Sequence, residues 1–452
     1  MSYSEETNRN QASLLSITEA LEANDLRAVR DQLATLHPSE LADVLESFPP
    51  EIRDELWVHV DAEVEGDVLA EANDQVRAAL LENMLPHEVA AATATLDTDD
   101  VADILQDLPE SFADEVLRSM DEQNRSRIAS ILHYPEDTAG GLMNVDVVTV
   151  RADVEVETVL RYLRRHGAVP QKTDSLMVVD RENTYLGVVS LSALVCAPAE
   201  TYVGDLMQLD AEGIPADTPE ADVARQFEQR DLLSAAVVDS RGTLLGRITV
   251  DDVIDVIREQ GVHSLMSAAG LDEEDDIFAP VVVSTRRRAT WLGINLATAF
   301  LAAWVIGRFE GTIEEIVALA ILMPVVASMG GVAGSQTLTI VIRGLALGQI
   351  GRANARLLLY RELAIGGLNG LLWAVVVALI GGLWFQDASL GLVIGAAVVV
   401  NLLIAAFAGA VIPLVLRRIN VDPALAGGVV LTTVTDVVGF VAFLGLATVF
   451  LL

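Results

Sequence analysis

The stretch PALAGGVVLTTVTDVVGFVAFLGLATVFLL, residues 423–452, decides the fold of the C-terminal part of the chain, because all of it carries a single charge, Asp436. About 20 predominantly apolar residues cross a bilayer as a helix, so this segment is long enough to span. Thr432, Thr433 and Gly439 stand at i−4, i−3 and i+3 from Asp436, which puts them on its helical face and makes one polar stripe on an otherwise apolar helix. An unpaired carboxylate inside a membrane is expensive and marks a functional position. No basic residue lies within the apolar stretches to neutralise it. That leaves a passing cation as its natural partner, with a protonated structural aspartate as the alternative.

Working outward, the stretches 289–307, 316–342, 363–386 and 388–416 carry no charge and have roughly the length a span requires. Five helices make an all-α transmembrane domain over 281–452, and the odd number puts its ends on opposite sides. Arg286, Arg287 and Arg288 precede the first span, Arg343, Arg352, Arg356 and Arg361 lie in or beside the second loop-forming gap, and Arg417 and Arg418 follow the fourth; Arg308 alone falls on the other side. Arginine marks the cytosolic face. The chain is therefore expected to be a multi-pass protein of the inner (cytoplasmic) membrane, with its N-terminus in the cytosol and its C-terminus outside. The second span holds Pro324 and then Gly330, Gly331, Val332, Ala333, Gly334, Ser335, Gln336 and Thr337. Such glycines serve close helix packing, or expose backbone carbonyls where a helix breaks. Gln336 beside them favours a broken, pore-lining segment of Gly330, Gly331, Gly334 and Gln336, facing Thr432, Thr433 and Gly439.

The rest of the chain is of another kind. Of 65 acidic and 29 basic residues, only seven and ten respectively lie beyond residue 280, and the net charge is −36. This acidity excludes nucleic acid as a partner, which needs basic patches, and fits a surface that collects cations or one solvated in a salty habitat. One cysteine, Cys196, allows no disulfide or Cys-based metal site within the chain, and the polar, acidic first thirty residues lack a signal peptide's pattern. The six histidines are scattered without ligand spacing, no nucleophile–base pair stands out, and no phosphate-cradling G-x-x-x-x-G-K-[ST] occurs. An enzyme or ATP-driven pump is not expected.

Residues 1–135 read as helices. The segment Leu41-Ala42-Asp43-Val44-Leu45 recurs as Val101-Ala102-Asp103-Ile104-Leu105, each followed by a proline-marked turn, which predicts stacked helical hairpins. Asp99 and Asp103 share a helical face, either a solvated acidic surface or a metal site. Residues 141–260 repeat at an offset of 59: Ser175 to Asp180 recurs as Ser234 to Asp239, and Leu186-Gly187 as Leu245-Gly246. Each copy is strand, turn, strand, helix, and Asp239-Ser240-Arg241-Gly242 is a hairpin signal. This pattern resembles paired CBS (cystathionine-β-synthase-type) domains, which are regulatory and often bind adenosine compounds. The resemblance makes Thr249 and Asp252 a ribose site for an adenine nucleotide in the second copy; the first has Ser190 but Ala193 at the aspartate position. A helical connector follows and ends in Asp272-Glu273-Glu274-Asp275-Asp276.

An α-helical superhelical N-terminal domain, α/β tandem CBS domains and a five-helix transmembrane domain, in that order, resemble the MgtE family of magnesium channels. The stretches that carry this resemblance are Tyr134-Pro135-Glu136-Asp137-Thr138-Ala139-Gly140-Gly141-Leu142-Met143, residues 330–336, Val421-Asp422-Pro423-Ala424 and Thr435-Asp436-Val437-Val438-Gly439. It divides the chain into a flexible N-terminus (1–30), an acidic helical-repeat domain (31–135), tandem CBS domains (136–252), a connecting plug helix and linker (253–280), and the membrane domain (281–452). It implies a homodimer in a lipid bilayer whose pore is lined by the second and fifth spans, with Asp436 binding the ion. It further implies that cytosolic Mg2+ bridges Asp99, Asp103, Asp231, Asp251 and Asp252 and closes the gate. Mg2+ gives up its waters reluctantly, so a pore selects it as the hydrated ion, and an inside-negative potential drives entry. Two departures stand out. Val332 replaces a usual asparagine, and Gln260-Gly261-Val262-His263-Ser264 lacks the acids usual in the connector, which predicts weaker gating. The rivals are a secondary transporter or a channel for other divalent cations such as Mn2+ or Co2+, and a non-conducting membrane-tethered sensor.

Overall fold

The computed structural model describes residues 3–167, 169–170, 172–267, 269–271, 276–351, 353–419 and 421–452, with the backbone alone described at 3–11, 166 and 264. Two compact units result: Met1–Gly261 with Glu274–Pro280, and Val262–Glu273 with Val281–Leu452.

In the first unit, α-helices run from Tyr3–Glu22 to Glu122–Ile131. Most are short, and proline starts many of them: Pro38, Pro50 and Pro86 sit at the first helical position, where a fixed φ and a missing N–H cost nothing. The sixty-residue repeat is structural. Pro38–Glu46 buries Leu41, Ala42, Val44 and Leu45, and Thr98–Gln106 buries Val101, Ala102, Ile104 and Leu105. Each is followed by a helix entered through a proline N-cap, Pro50–Trp57 after Pro49 and Glu110–Ser119 after Pro109. Tyr3–Glu22 is a helix, and its Ile17 and Ala20 enter the core. Thr98–Gln106 serves two cores: Val101, Ile104 and Leu105 join the helical one, while Ala102 joins Ile214, Val237 and Ile248 of the following domain.

That domain holds two matching sheets. Strands β1 (Thr149–Arg151), β2 (Ser175–Val179) and β3 (Tyr185–Ser190) form one; β4 (Ile214–Pro215), β5 (Ser234–Val238) and β6 (Leu244–Thr249) form the other. In each, the first strand is parallel to the second and the third antiparallel. The sequence repeat closes on itself in space, with Ser175 Oγ 3.2 Å from Ser234 Oγ. Both hairpins turn on an aspartate that accepts two backbone N–H bonds: Asp180 from Glu182 and Thr184, Asp239 from Arg241 and Thr243, all at 2.8 Å. Asn183 and Gly242 take the left-handed conformation that these turns require.

The second unit contains five helices long and apolar enough to cross a membrane: Val281–Gly307, Ala318–Ala346, Ala355–Phe385, Ala388–Arg418 and Pro423–Phe450. Most extend past the uncharged stretches, since a helix keeps its hydrogen-bond ladder into the polar ends. Arg286, Arg287 and Arg288 thus lie within the first span, and a short extra helix, Glu310–Glu315, precedes the second. The fourth span is the centre of the unit, and the second, third and fifth pack on it. One expectation fails: the second span is not broken at its glycines but runs unbroken from Ala318 to Ala346 through Pro324. Its glycines admit neighbours instead, Gly330 the Asn401 side chain and Gly334 Leu431.

Candidate functional site

The acidic face of Thr98–Gln106 is built at the helix start. Asp97, at the N-cap, Asp99 and Asp100 each bring a carboxylate oxygen within 4.8 Å of the others. Thr98 pins this turn to the strand-bearing domain. Its hydroxyl donates to Asn144 Oδ1 and accepts from the Val145 N–H, both at 3.1 Å. Asn144 is itself locked by reciprocal backbone bonds with Arg247, at 2.8 and 2.9 Å. The pinning turns Asp99 inward towards Asp252, 6% exposed, with its Oδ1 buried and accepting no hydrogen bond. Asp252 Oδ2 accepts the Thr249 N–H at 2.9 Å and lies 3.0 Å from the Thr249 hydroxyl, which also reaches Asp251 Oδ1 at 2.6 Å. Lys172, the chain's one lysine, pairs with Asp251.

This crowding holds protons. Burial, then the charges of Asp252, Asp100 and Asp97, pushes the Asp99 carboxyl well above the usual range. Asp100 is pushed up to about 7 by burial and by Asp97 and Asp252. Burial lifts Asp252 to about 6 against its bond from the Thr249 N–H, and Asp103 to about 7 against the pull of Arg77. At Asp251 burial also pushes upward, but the bonds with Lys172 and Thr249 outweigh it and leave the group below its ordinary value. Several carboxyls compete here for protons and one lysine. A hard dication with oxygen ligands would answer that deficit, and the unsatisfied Asp99 oxygen fits one.

The expected residues do not all meet. Asp99, Asp251 and Asp252 come together. Asp103 faces Arg77, Glu136 and Asp107 at the margin, and Arg77 Nε donates to Asp107 Oδ2 at 2.6 Å. Asp231 is exposed and ends the helix Glu220–Arg230 in the left-handed conformation. Sequence reasoning missed Asp97, Asp100 and Lys172; the run Asp97-Thr98-Asp99-Asp100 at a helix start was the signal, since a helix N-terminus favours carboxylates. In the connector, Val250–Ser267, the stretch 260–264 has no acid, but Glu259 beside it is pushed up to about 7 by burial and then Glu220. The acids 272–275 lie outside the described residues. Further along, within the second unit, His263 Nε2 lies 3.2 Å from Asp422 Oδ2, the carboxylate that caps the fifth span through the N–H groups of Ala424 and Leu425.

In the membrane unit a groove of about 810 Å3 runs along one face of the second span, lined by Ser328, Gly331, Val332, Ser335, Gln336 and Thr339 among others. Of the residues expected to line a pore, Gly331 and Gln336 border this groove, while Gly330 and Gly439 face the Asn401 side chain and Gly334 faces Leu431. On the fifth span Thr432 is exposed and Thr433 half-buried, and both hydroxyls donate to their own helix, at the Gly428 and Val429 carbonyls. Their oxygens keep lone pairs free to accept. Among the described residues no hydrogen bond or ion pair engages Asp436. A second carboxylate, Glu362 of the third span, is buried and accepts the Thr337 hydroxyl at 3.2 Å. It escaped the sequence reading because the third helix begins at Ala355, ahead of the uncharged stretch.

Comparison with known proteins bears on this architecture. Residues 323–446 match MgtE, a divalent cation transporter family, residues 36–137 match the MgtE intracellular N domain, and residues 139–200 and 203–259 match CBS domains. The chain is 30% identical over 443 residues to the magnesium transporter MgtE of Thermus thermophilus, covering 97% of this chain and 98% of that protein. It is 27% identical over 438 residues to the magnesium transporter MgtE of Bacillus subtilis, covering 97% of each. A crystal structure of the cytosolic domain of the Mg2+ channel MgtE in complex with ATP aligns at 32% identity with a TM-score of 0.50, over 54% of this chain and 99% of that one.

Proposed function

The chain belongs to the MgtE family of magnesium transporters, and on that premise we propose that it is a homodimeric channel that admits hydrated Mg2+ to the cytosol. The observation that carries this reading is Asp436, a carboxylate in the fifth span that no described residue pairs with. A half-buried negative charge in a membrane span without a fixed partner suits a mobile one. The side-chain oxygens of Ser335, Gln336 and Thr339 lie along the groove of the second span, and those of Thr432 and Thr433 on the fifth are further acceptors. Mg2+ gives up its waters reluctantly, so such groups would meet its water shell and not the bare ion. The N-terminus lies in the cytosol and the C-terminus outside, so the inside-negative potential drives entry at about 2.3 kcal/mol per charge per 100 mV.

The acidic cluster of Asp97, Asp99, Asp100, Asp251 and Asp252 is the sensor. Cytosolic Mg2+ would replace its protons, tie the helical domain to the CBS domains, and bias the connector towards closure. With no acid in 260–264, half-closure requires more than about 1 mM Mg2+, the order of a weak divalent site. An adenine nucleotide at Thr249 and Asp252 would share the Asp252 carboxylate with this sensor and compete for it. The other reading, a transporter or channel for Mn2+ or Co2+, is favoured by Val332, whose side chain faces the groove where an amide would help grip water.

The deciding experiment is Mg2+ flux into liposomes for wild type and Asp436→Ala, with cytosolic-side Mg2+ varied. Loss of flux in the variant is expected; wild-type flux in Asp436→Ala removes the proposed path. Sharp closure at sub-millimolar Mg2+ contradicts the weak-gating reading, and flux that stops when proton and sodium gradients collapse at constant potential favours a secondary transporter.

A further inference from the structure

The fourth span carries one amide, Asn401, and it has no exposed surface. Its Nδ2 donates to the Val326 carbonyl of the second span at 2.8 Å, while its Oδ1 is buried with no hydrogen-bond partner. Two glycines, one from each helix of the proposed path, close on this side chain. A Cβ on Gly330 would stand 2.2 Å from Nδ2 and 3.0 Å from Oδ1, and one on Gly439 would stand 2.7 Å and 3.1 Å from the same atoms. Nothing larger than hydrogen fits at either position, so the amide fills a slot shared by the second and fifth spans.

An amide is a poor choice for a slot that needs only volume. A buried oxygen without a partner is destabilising, and among apolar helices a leucine or methionine packs as well. Its location gives the amide another use. The Nδ2 bond to the Val326 carbonyl ties the fourth span to the second, about one helical turn before Gly330. Gly330 adjoins Gly331 of the groove, and Gly439 is less than one helical turn from Asp436.

We propose that Asn401 is a positioning residue for ion conduction: keyed between Gly330 and Gly439, it sets the axial register between the helix that lines the groove and the helix that carries Asp436. This rests on the conduction reading above and extends it, because a residue of the fourth span with no exposed surface then controls ion preference.

The test measures Mg2+ and Co2+ flux into proteoliposomes holding the full chain. Gly330→Ala and Gly439→Ala should each lower Mg2+ flux about tenfold, the coupling expected of residues in contact, and adding Asn401→Ala should restore it to within about threefold. Asn401→Leu keeps the branched shape but not the bond, and should alter the Mg2+ to Co2+ flux ratio while the protein elutes as wild type. Undiminished flux in both glycine variants, a double variant as poor as the single, or an unchanged ion ratio in Asn401→Leu would each overturn the proposal. If the glycine variants fail to elute as folded protein, the ion ratio of Asn401→Leu decides. Asp436→Asn is measured alongside. Wild-type flux in that variant defeats the conduction reading itself, whereas loss there without rescue between positions 330 and 401 defeats only the role of Asn401.

Discussion

Raising the pH from about 5.5 to 8 in a chelator should destabilise the cytosolic unit, and Mg2+ should reverse the loss. The sign follows from where the protons sit. Asp99, Asp100, Asp103 and Asp252 all bind protons more tightly when folded than an unfolded aspartate near 3.9. A raised folded-state value contributes stability that is complete below the unfolded value and is lost as pH climbs through the folded one, here at about 6 to 7. A carboxyl held at about 7 loses about 2 kcal/mol over that pH range, and one held at about 6 loses about 1 kcal/mol. Because Asp99 and Asp252 interact, their protons leave as a pair and the contributions do not add. The expected total is on the order of 3–5 kcal/mol, or about 10 °C in Tm for a domain of this size. Mg2+ at a hundred times its Kd contributes about 2.7 kcal/mol, and more at pH 8 than at pH 5.5, where it must displace protons. The assay is thermal unfolding of the full chain in detergent, with hydrogen exchange at residues 97–106 identifying the unit that melts. Asp100→Asn should flatten the profile. A Tm in chelator that is level or rises across this range, or Mg2+ stabilisation of equal size at both ends, would refute the reasoning.

Other outcomes follow from single contacts. Arg53 is 1% exposed, donates to the Leu45 and Phe48 carbonyls at 3.0 Å, and pairs with Asp276 at 2.9 Å. Arg53→Ala strands a buried carboxylate and should cost about 3–5 kcal/mol, whereas a loss under about 1 kcal/mol in denaturant titration would place the pair in solvent. His263→Ala removes the contact with Asp422 but leaves the bonds by which Asp422 caps the fifth span. Flux at high cytosolic Mg2+ should rise with the ion ratio unchanged; unaltered closure would show that this contact plays no part in the gate.

Some features needed no tertiary information, and their physics is local. Helix length against bilayer thickness identifies five spans. The offset of 59 residues foretells two like sheets, because each copy carries its own strand pattern and hairpin aspartate. Asp436 stands out because a lone charge in an apolar segment is visible in one dimension. What the chain alone left open concerns partners distant in sequence. Residues 330–336 are compatible with a broken helix or a packed one, and the choice depends on Asn401 and Leu431 arriving from other helices to fill the notches. Asp99 and Asp103 share a helical face, yet only Asp99 is pressed towards Asp252, because the Thr98–Asn144 contact sets how the helix meets the neighbouring domain. Burial, and with it the proton affinity of each carboxyl, is a property of what surrounds a side chain, so it came into being only when the chain had folded.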